Sequence, residues 1–273
     1  MQTIDKEPVA TGKDIGLLFK PHLIKALLRD ESPKTQTRRI IDPQPTLENG
    51  SWVWRRDKKA NAPLIDSPLM LSKAPYKVGD RLYCKESLYL GSDHCWHYDA
   101  DHETVMVAKK NEGAMIAWAH HKETESHSAI FMPKWAARIW REITEVRVQR
   151  ISEISEEDAI REGIQPLEIL RAIPPFKSRV RYFNYELQVP CTSQDGDAGR
   201  RSFRSLWNEI NGKWTPVRKG GTLAYYICYP WDEDDIPEKP LNACRKGIPC
   251  HAYPNPWVWA LNFTTEVREG GSE

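Results

Sequence analysis

Lys34-Thr35-Gln36-Thr37-Arg38-Arg39 puts a Lys, two hydroxyls, an amide and two guanidinium groups into six consecutive residues. Two Arg forks can grip a phosphate or stack on a base. A Lys three residues before a Thr can, in a tight loop, reach its hydroxyl. A Lys-activated hydroxyl nucleophile requires that arrangement. The hexapeptide follows an apolar segment, Ile15 to Leu28, and precedes Ile40-Ile41. A polar knot between two apolar runs equally suits a solvated turn, so these six residues alone leave both readings open.

Three further places could take part in chemistry. Lys85 and Glu86 interrupt the apolar pattern of Leu82 to Leu90, so one side of that strand faces solvent or a ligand. Glu162 stands in the last turn of a short helix, where an acid opposes the helix dipole. Phe176 to Tyr185 interleaves rings with Lys177, Arg179 and Arg181 and includes Tyr182. That pattern suits single-stranded nucleic acid, with rings on bases and cations on phosphates. An exposed strand with one buried aromatic face gives the same pattern.

The elements that must position these residues follow from periodicity and punctuation. Ile15 to Phe19 reads as a short buried strand, and Pro21 opens a helix with Leu23, Ala26 and Leu27 at helical spacing. Ser51 to Trp54 reads as one strand of an inserted hairpin, and Gly79-Asp80 as the tip of a turn. Within Ile130 to Ile151, Met132 to Ala136 reads as a lead-in, and Arg138 to Ile151, rich in β-branched residues, as a long or bent strand. Ser155 caps a helix with three acids in its first turn, and Gly163 ends it. Arg200 to Ile210 is an amphipathic helix burying Phe203, Leu206, Trp207 and Ile210, and Asn211-Gly212 stops it. Leu223 to Tyr229 and Val258 to Val267 read as strands, and Trp231 to Ala252 as an acidic, Pro-rich loop.

The bulk properties exclude several classes. A chain of 273 residues can bury a real core. With 39 Lys and Arg against 38 Asp and Glu, no global basicity announces nucleic-acid binding, so any such surface must be local. No apolar run approaches a membrane span, and Met1 to Lys13 lacks a signal-peptide core; a cytoplasmic location is expected. The six Cys form no C-x-x-C pair and are expected as thiols. Cys244, Cys250 and His251 lack zinc spacing, as do His94, Cys95 and His97, so neither a metal nor another cofactor is expected. Six of the eight His fall in the polar stretch 91–128, where solvated His are the ordinary outcome.

Strand, helix, basic knot, scattered strands with one short helix and a closing strand is the order of a small mixed barrel. In Leu17 to Arg39, Val78 to Leu82, Met132 to Ile164, Phe203 to Gly212 and Asn255 to Phe263, the chain resembles the ASCH family of PUA-like domains. These blocks cover about half of it, and the longer phage and prophage members are the most similar. The resemblance implies an α+β fold: one PUA-like mixed β-barrel over 14–267 with short flanking helices. Insertions are expected at about 42–75, 91–129 and 165–199, with a flexible N-terminus at 1–13 and a disordered tail at 268–273. Family members carry a G-x-K-x-x-T-x-R signature, whose Lys, Thr and Arg places are filled here by Lys34, Thr37 and Arg39; Ser32 holds the Gly place. In small bacterial members that hydrolyse N4-acetylcytidine, the signature Lys and Thr act with a Glu from the helix after the middle strands. Glu162 is the match.

The resemblance therefore implies an amidohydrolase acting on an N-acylated cytosine through Lys34, Thr37 and Glu162. Thr35, Arg38, Arg39, Lys85, Glu86, Lys177, Arg179, Arg181 and Tyr182 are the expected substrate or nucleic-acid contacts. A non-catalytic reader of a modified base in RNA or DNA is the alternative. The partner in either case is a modified nucleoside or nucleic acid.

Overall fold

The computed structural model describes residues 12–55, 63–65, 67–106, 111, 113, 126–170, 179–191 and 197–265, with backbone only at 168–170 and 179–180. The chain forms two compact units. The first takes residues up to Thr35, then Pro75–Val146 and the chain from Asn262; the second takes Gln36–Ala74 and Arg147–Leu261.

Along the chain, β1 (Asp14–Leu18) leads to α1 (Pro21–Leu27), then β2 (Gln36–Ile40), β3 (Thr46–Glu48), β4 (Ser51–Val53) and α2 (Pro68–Ser72). β5 (Arg81–Lys85), β6 (Leu88–Leu90), β7 (Trp96–Tyr98), β8 (Ser126–His127) and β9 (Trp140–Arg150) follow. Next come α3 (Glu156–Arg161), β10 (Pro166–Leu170), β11 (Arg179–Asn184), β12 (Val189–Cys191) and α4 (Ala198–Trp207). β13 (Thr215–Lys219), β14 (Thr222–Cys228), α5 (Leu241–Lys246), β15 (Cys250–Ala252) and β16 (Trp257–Phe263) complete the order. The fold is α+β, with most elements strands in several sheets. The sheets are open among the described residues, so the closed barrel implied by the resemblance is not found there.

In the first unit β1 lies parallel to β5, with Asp14 opposite Arg81, and β5 lies antiparallel to β9, with Leu82 opposite Arg141. Pro21 opens α1 as its composition predicts, because the missing N–H is one that a first turn leaves unbonded anyway. The helix buries Leu23, Ile24, Ala26 and Leu27. Arg141 holds its end by donating to Leu27 O at 2.9 Å. The tip Gly79-Asp80 is as expected: Gly79 has φ +87°, and the Asp80 carboxylate accepts from the backbone N of Lys13 and Lys77. Lys13 is thus tied down, although it falls in the expected flexible lead-in; residues 1–11 lie outside the described ones. The expected strand Leu82 to Leu90 is two strands, broken at Glu86. β6 joins β7 and β8 in a separate small sheet over Leu88, Tyr98, Val105, Met132 and Ala136. Thr104 forms one antiparallel bridge with His97 of β7.

In the second unit the strand order is β9-β16-β2. β3 and β4 form the expected hairpin over Asn49-Gly50, both with positive φ (+50° and +77°), as a tight two-residue turn demands. Arg150 lies between the Trp52 and Trp257 rings, 4.3 and 4.6 Å from their centroids. α3 starts at Ser155, whose hydroxyl accepts from Asp158 N at 3.0 Å, and Gly163 follows its end with φ +84°. α4 buries Phe203, Leu206 and Trp207. Ile210 is 37 % exposed, a correction to its expected place on the buried face. The helix widens into a π-turn over Asn208–Gly212, and the i→i+5 pattern rotates Ile210 away from that face.

Candidate active site

β2 is the element that differs most from the turn its composition suggests. Gln36, Thr37 and Arg38 are consecutive and all buried. Successive strand side chains point to opposite faces, so Gln36 and Arg38 share one face and Thr37 takes the other. Burying a guanidinium is costly unless it is paired. α3 supplies the pairs, because Asp158 and Glu162 are four residues apart and lie on one helix face.

Arg38 NH1 donates to Glu162 Oε1 at 2.9 Å, and its NH2 to Asp158 Oδ2 at 3.2 Å. It also donates to Gln36 Oε1. Gln36 Nε2 in turn donates to Asp158 Oδ1 at 3.1 Å, and Arg147 donates to Asp158 Oδ2 at 3.1 Å. Two guanidinium groups thus face two carboxylates. The Arg38 guanidinium also sits 5.7 Å from the Phe203 ring centroid on α4. α3 and α4 are tied directly: Glu156 accepts from the backbone N of Gly199 at 2.6 Å and of Arg200 at 2.8 Å. A Cβ on Gly199 would lie 2.6 Å from that carboxylate, so any larger residue would displace the end of the Glu156 side chain.

Burial alone would push the Asp158 carboxyl up, but hydrogen bonds from Gln36 and Arg147 and the charges of Arg38 and Arg147 outweigh it and hold it below its ordinary range. A lowered folded-state value means that Asp158 contributes stability above the unfolded carboxyl value of about 3.9. That contribution is lost as pH falls through the folded value. Asp158→Asn should therefore lower the urea midpoint clearly at pH 6 and much less at pH 3. A difference from wild type that stays constant across that range would contradict this origin.

The expected catalytic residues are all buried: Lys34 is 1 % exposed, Thr37 4 % and Glu162 4 %. Lys34 belongs to the first unit, where its backbone N donates to Ala26 O at 2.9 Å and its Nζ lies 6.0 Å from the Phe19 ring centroid. Thr37 and Glu162 belong to the second unit, where Arg38 pairs with Glu162 at 2.9 Å. Ser32, at the signature's Gly place, has φ +48°, the left-handed conformation that glycine adopts without cost.

The expected contact residues are dispersed. Thr35 O accepts from Phe263 N at 2.9 Å, and Arg39 is partly buried. Lys85 donates to Ile130 O at 2.6 Å. Glu86 is buried against Arg138, which is bidentate to it at 3.0 and 2.9 Å and also binds Asp101 and Glu103. Burial raises the Glu86 carboxyl above its usual value; Arg138 opposes that rise, and Asp101 and Glu103 add to it. Tyr182 is buried, as is Tyr185, whose hydroxyl accepts from Gln165 N. Arg181 is partly buried; Lys177 lies outside the described residues, and Arg179 is described by its backbone alone. Sequence reasoning missed Asp158 as a partner of Arg38; its four-residue spacing from Glu162 was the available signal.

Comparison with protein-family models, with curated proteins and with solved structures gives no match for this chain. All six Cys are free thiols. Among the described residues no group of three or more His, Cys, Asp or Glu is arranged to hold a metal ion. No described helix is long and apolar enough to cross a membrane.

Proposed function

We propose that this chain is an ASCH-type, PUA-like protein that hydrolyses the acyl group from the exocyclic amine of an N4-acylcytosine. The observation that carries the reading is the burial of Thr37 between Gln36 and Arg38 on a strand whose polar side chains are tied to Asp158 and Glu162. A strand that buries an amide, a hydroxyl and a guanidinium in succession gives up apolar packing at each. That sacrifice is typical of sites that position reacting groups.

Lys34 stands three residues before Thr37 in the chain. In the proposed reaction Thr37 Oγ attacks the acyl carbon and passes its proton to Lys34 Nζ in the neutral form. The C–N bond to the cytosine amine breaks, and that nitrogen takes the proton back from Lys34 Nζ, while Glu162, paired with Arg38, supplies a fixed negative charge. Water then attacks the acyl-threonine ester, restores the hydroxyl and releases the carboxylic acid. Arg38 fixes the Glu162 carboxylate at Oε1.

The test is to incubate the purified protein with N4-acetylcytidine and N4-acetyldeoxycytidine and to follow the free nucleosides. Turnover by wild type that Lys34→Ala and Thr37→Ala both abolish is the expected result. Turnover that survives in both variants would overturn the assignment.

A further inference from the structure

The sheet β13-β14-β15 in the second unit buries almost nothing. No residue of β13 or β15 is buried, and in β14 only Cys228, its last residue, is. β14 lies antiparallel to β13 and parallel to β15, and its residues Leu223 to Ile227 are half-buried, so the sheet keeps part of its surface available to a partner. One face of it carries rings and cations together. Val217 pairs with Tyr225 and Ile227 with His251, which places Tyr225 and His251 on a common side. The Tyr225 and His251 rings meet edge-to-face at 5.3 Å, and Lys219 Nζ lies 5.8 Å from the Tyr225 centroid. Beyond the strand ends Tyr229 and Tyr253 stack at 5.7 Å. His251 and Tyr253 are exposed, and Tyr225 is half-buried.

The strands of this sheet and α5 carry charge of one sign, although the whole chain carries only +1; acids come from outside them, Asp42 beside Tyr229 and the loop at 232–238, whose Pro237 and Glu238 carbonyls accept from Trp214. Neither 215–229 nor 241–253 contains an Asp or Glu, while Arg218, Lys219, Arg245 and Lys246 fall within them. Each of those four cations is exposed. A row of rings on a partly exposed sheet, with exposed cations on its own strands and on α5, is an arrangement that can stack bases and neutralise phosphates.

We propose that the Tyr225–His251 face of this sheet binds single-stranded nucleic acid. Bases stack on Tyr225, His251 and Tyr253, and phosphates meet Arg218 and Lys219. The surface shares no residue with Thr37 and Glu162, and the assay below reads binding alone, so its outcome is separable from that of the hydrolysis test.

Fluorescence anisotropy of a labelled oligouridylate of about twelve nucleotides, titrated with the full chain at low salt, tests the proposal. Saturable binding that weakens with added salt is expected. Tyr225→Ala should weaken it on the order of tenfold. The double variant Arg218→Gln, Lys219→Gln should reduce the salt slope by about 1.4. No binding at low salt would overturn the assignment. So would wild-type affinity in both variants, equal affinity for a duplex of the same length, or displacement by a polyglutamate peptide as effective as displacement by unlabelled oligonucleotide.

Discussion

Replacing Arg38 with Met is expected to cost about 3–5 kcal/mol of folding stability, the range for removing one partner of a buried ion pair. The guanidinium bonds to Glu162 and Asp158 and is almost entirely enclosed. Without it, Glu162 loses a buried, hydrogen-bonded cation, while Asp158 keeps Arg147. Methionine replaces much of the lost volume, so the effect reports the lost ion pairing rather than a cavity. Urea unfolding measures it directly. Adding Glu162→Gln to Arg38→Met should recover a substantial part of the loss, because the charge that needed pairing is gone. A loss below about 1 kcal/mol for the single variant would mean that water or another cation already solvates that carboxylate.

Thr37→Ala is expected to reduce turnover of an N4-acylcytosine by at least about 10⁴-fold, the scale on which hydrolases lose rate when a hydroxyl nucleophile is removed. Thr37→Ser, which keeps the oxygen, should retain a measurable fraction of the rate. The buried hydroxyl is also part of the packing of β2, so Thr37→Ala is expected to lose about 1 kcal/mol of stability. A protein that remains folded while activity collapses separates the two effects. Equal rates for Thr37→Ala and wild type would remove Thr37 from the reaction.

How legible the molecule is in its sequence depends on how local the determining forces are. Pro21, Asn49-Gly50, Gly79 and Ser155 each act within one turn, and the elements they punctuate stand where composition puts them. β2 is the opposite case. Its polar residues read as a turn because the groups that neutralise them, Asp158 and Glu162, lie about 120 residues further along the chain. Nothing local announces that pairing. α5 is hidden for another reason: it is a six-residue helix inside a Pro-rich stretch, with little periodicity to detect, closed by Gly247 at φ +61°. Arg138 to Ile151 reads as a strand from its β-branched residues, and β9 (Trp140–Arg150) lies within it; the lead-in before it holds Pro133 between two short 3-10 turns, Ala129–Phe131 and Lys134–Ala136. The basic-aromatic segment that drew attention in the sequence buries Tyr182 and Tyr185. The exposed counterpart, around Tyr225 and His251, depends on two strands brought side by side.

The same contrast applies to the candidate site. Lys34 and Thr37 are close in the chain, so their spacing is visible from composition. Glu162 is visible only as an acid at the unfavourable end of a short helix. Its bond to Arg38, and with it the buried network, needs the fold.

The most direct measurement is the appearance of cytidine when the wild-type protein meets excess N4-acetylcytidine. Many equivalents of cytidine and acetate per protein chain are expected, with the rate lost in Thr37→Ala. Cytidine that never exceeds the uncatalysed background, at any protein concentration, would contradict it.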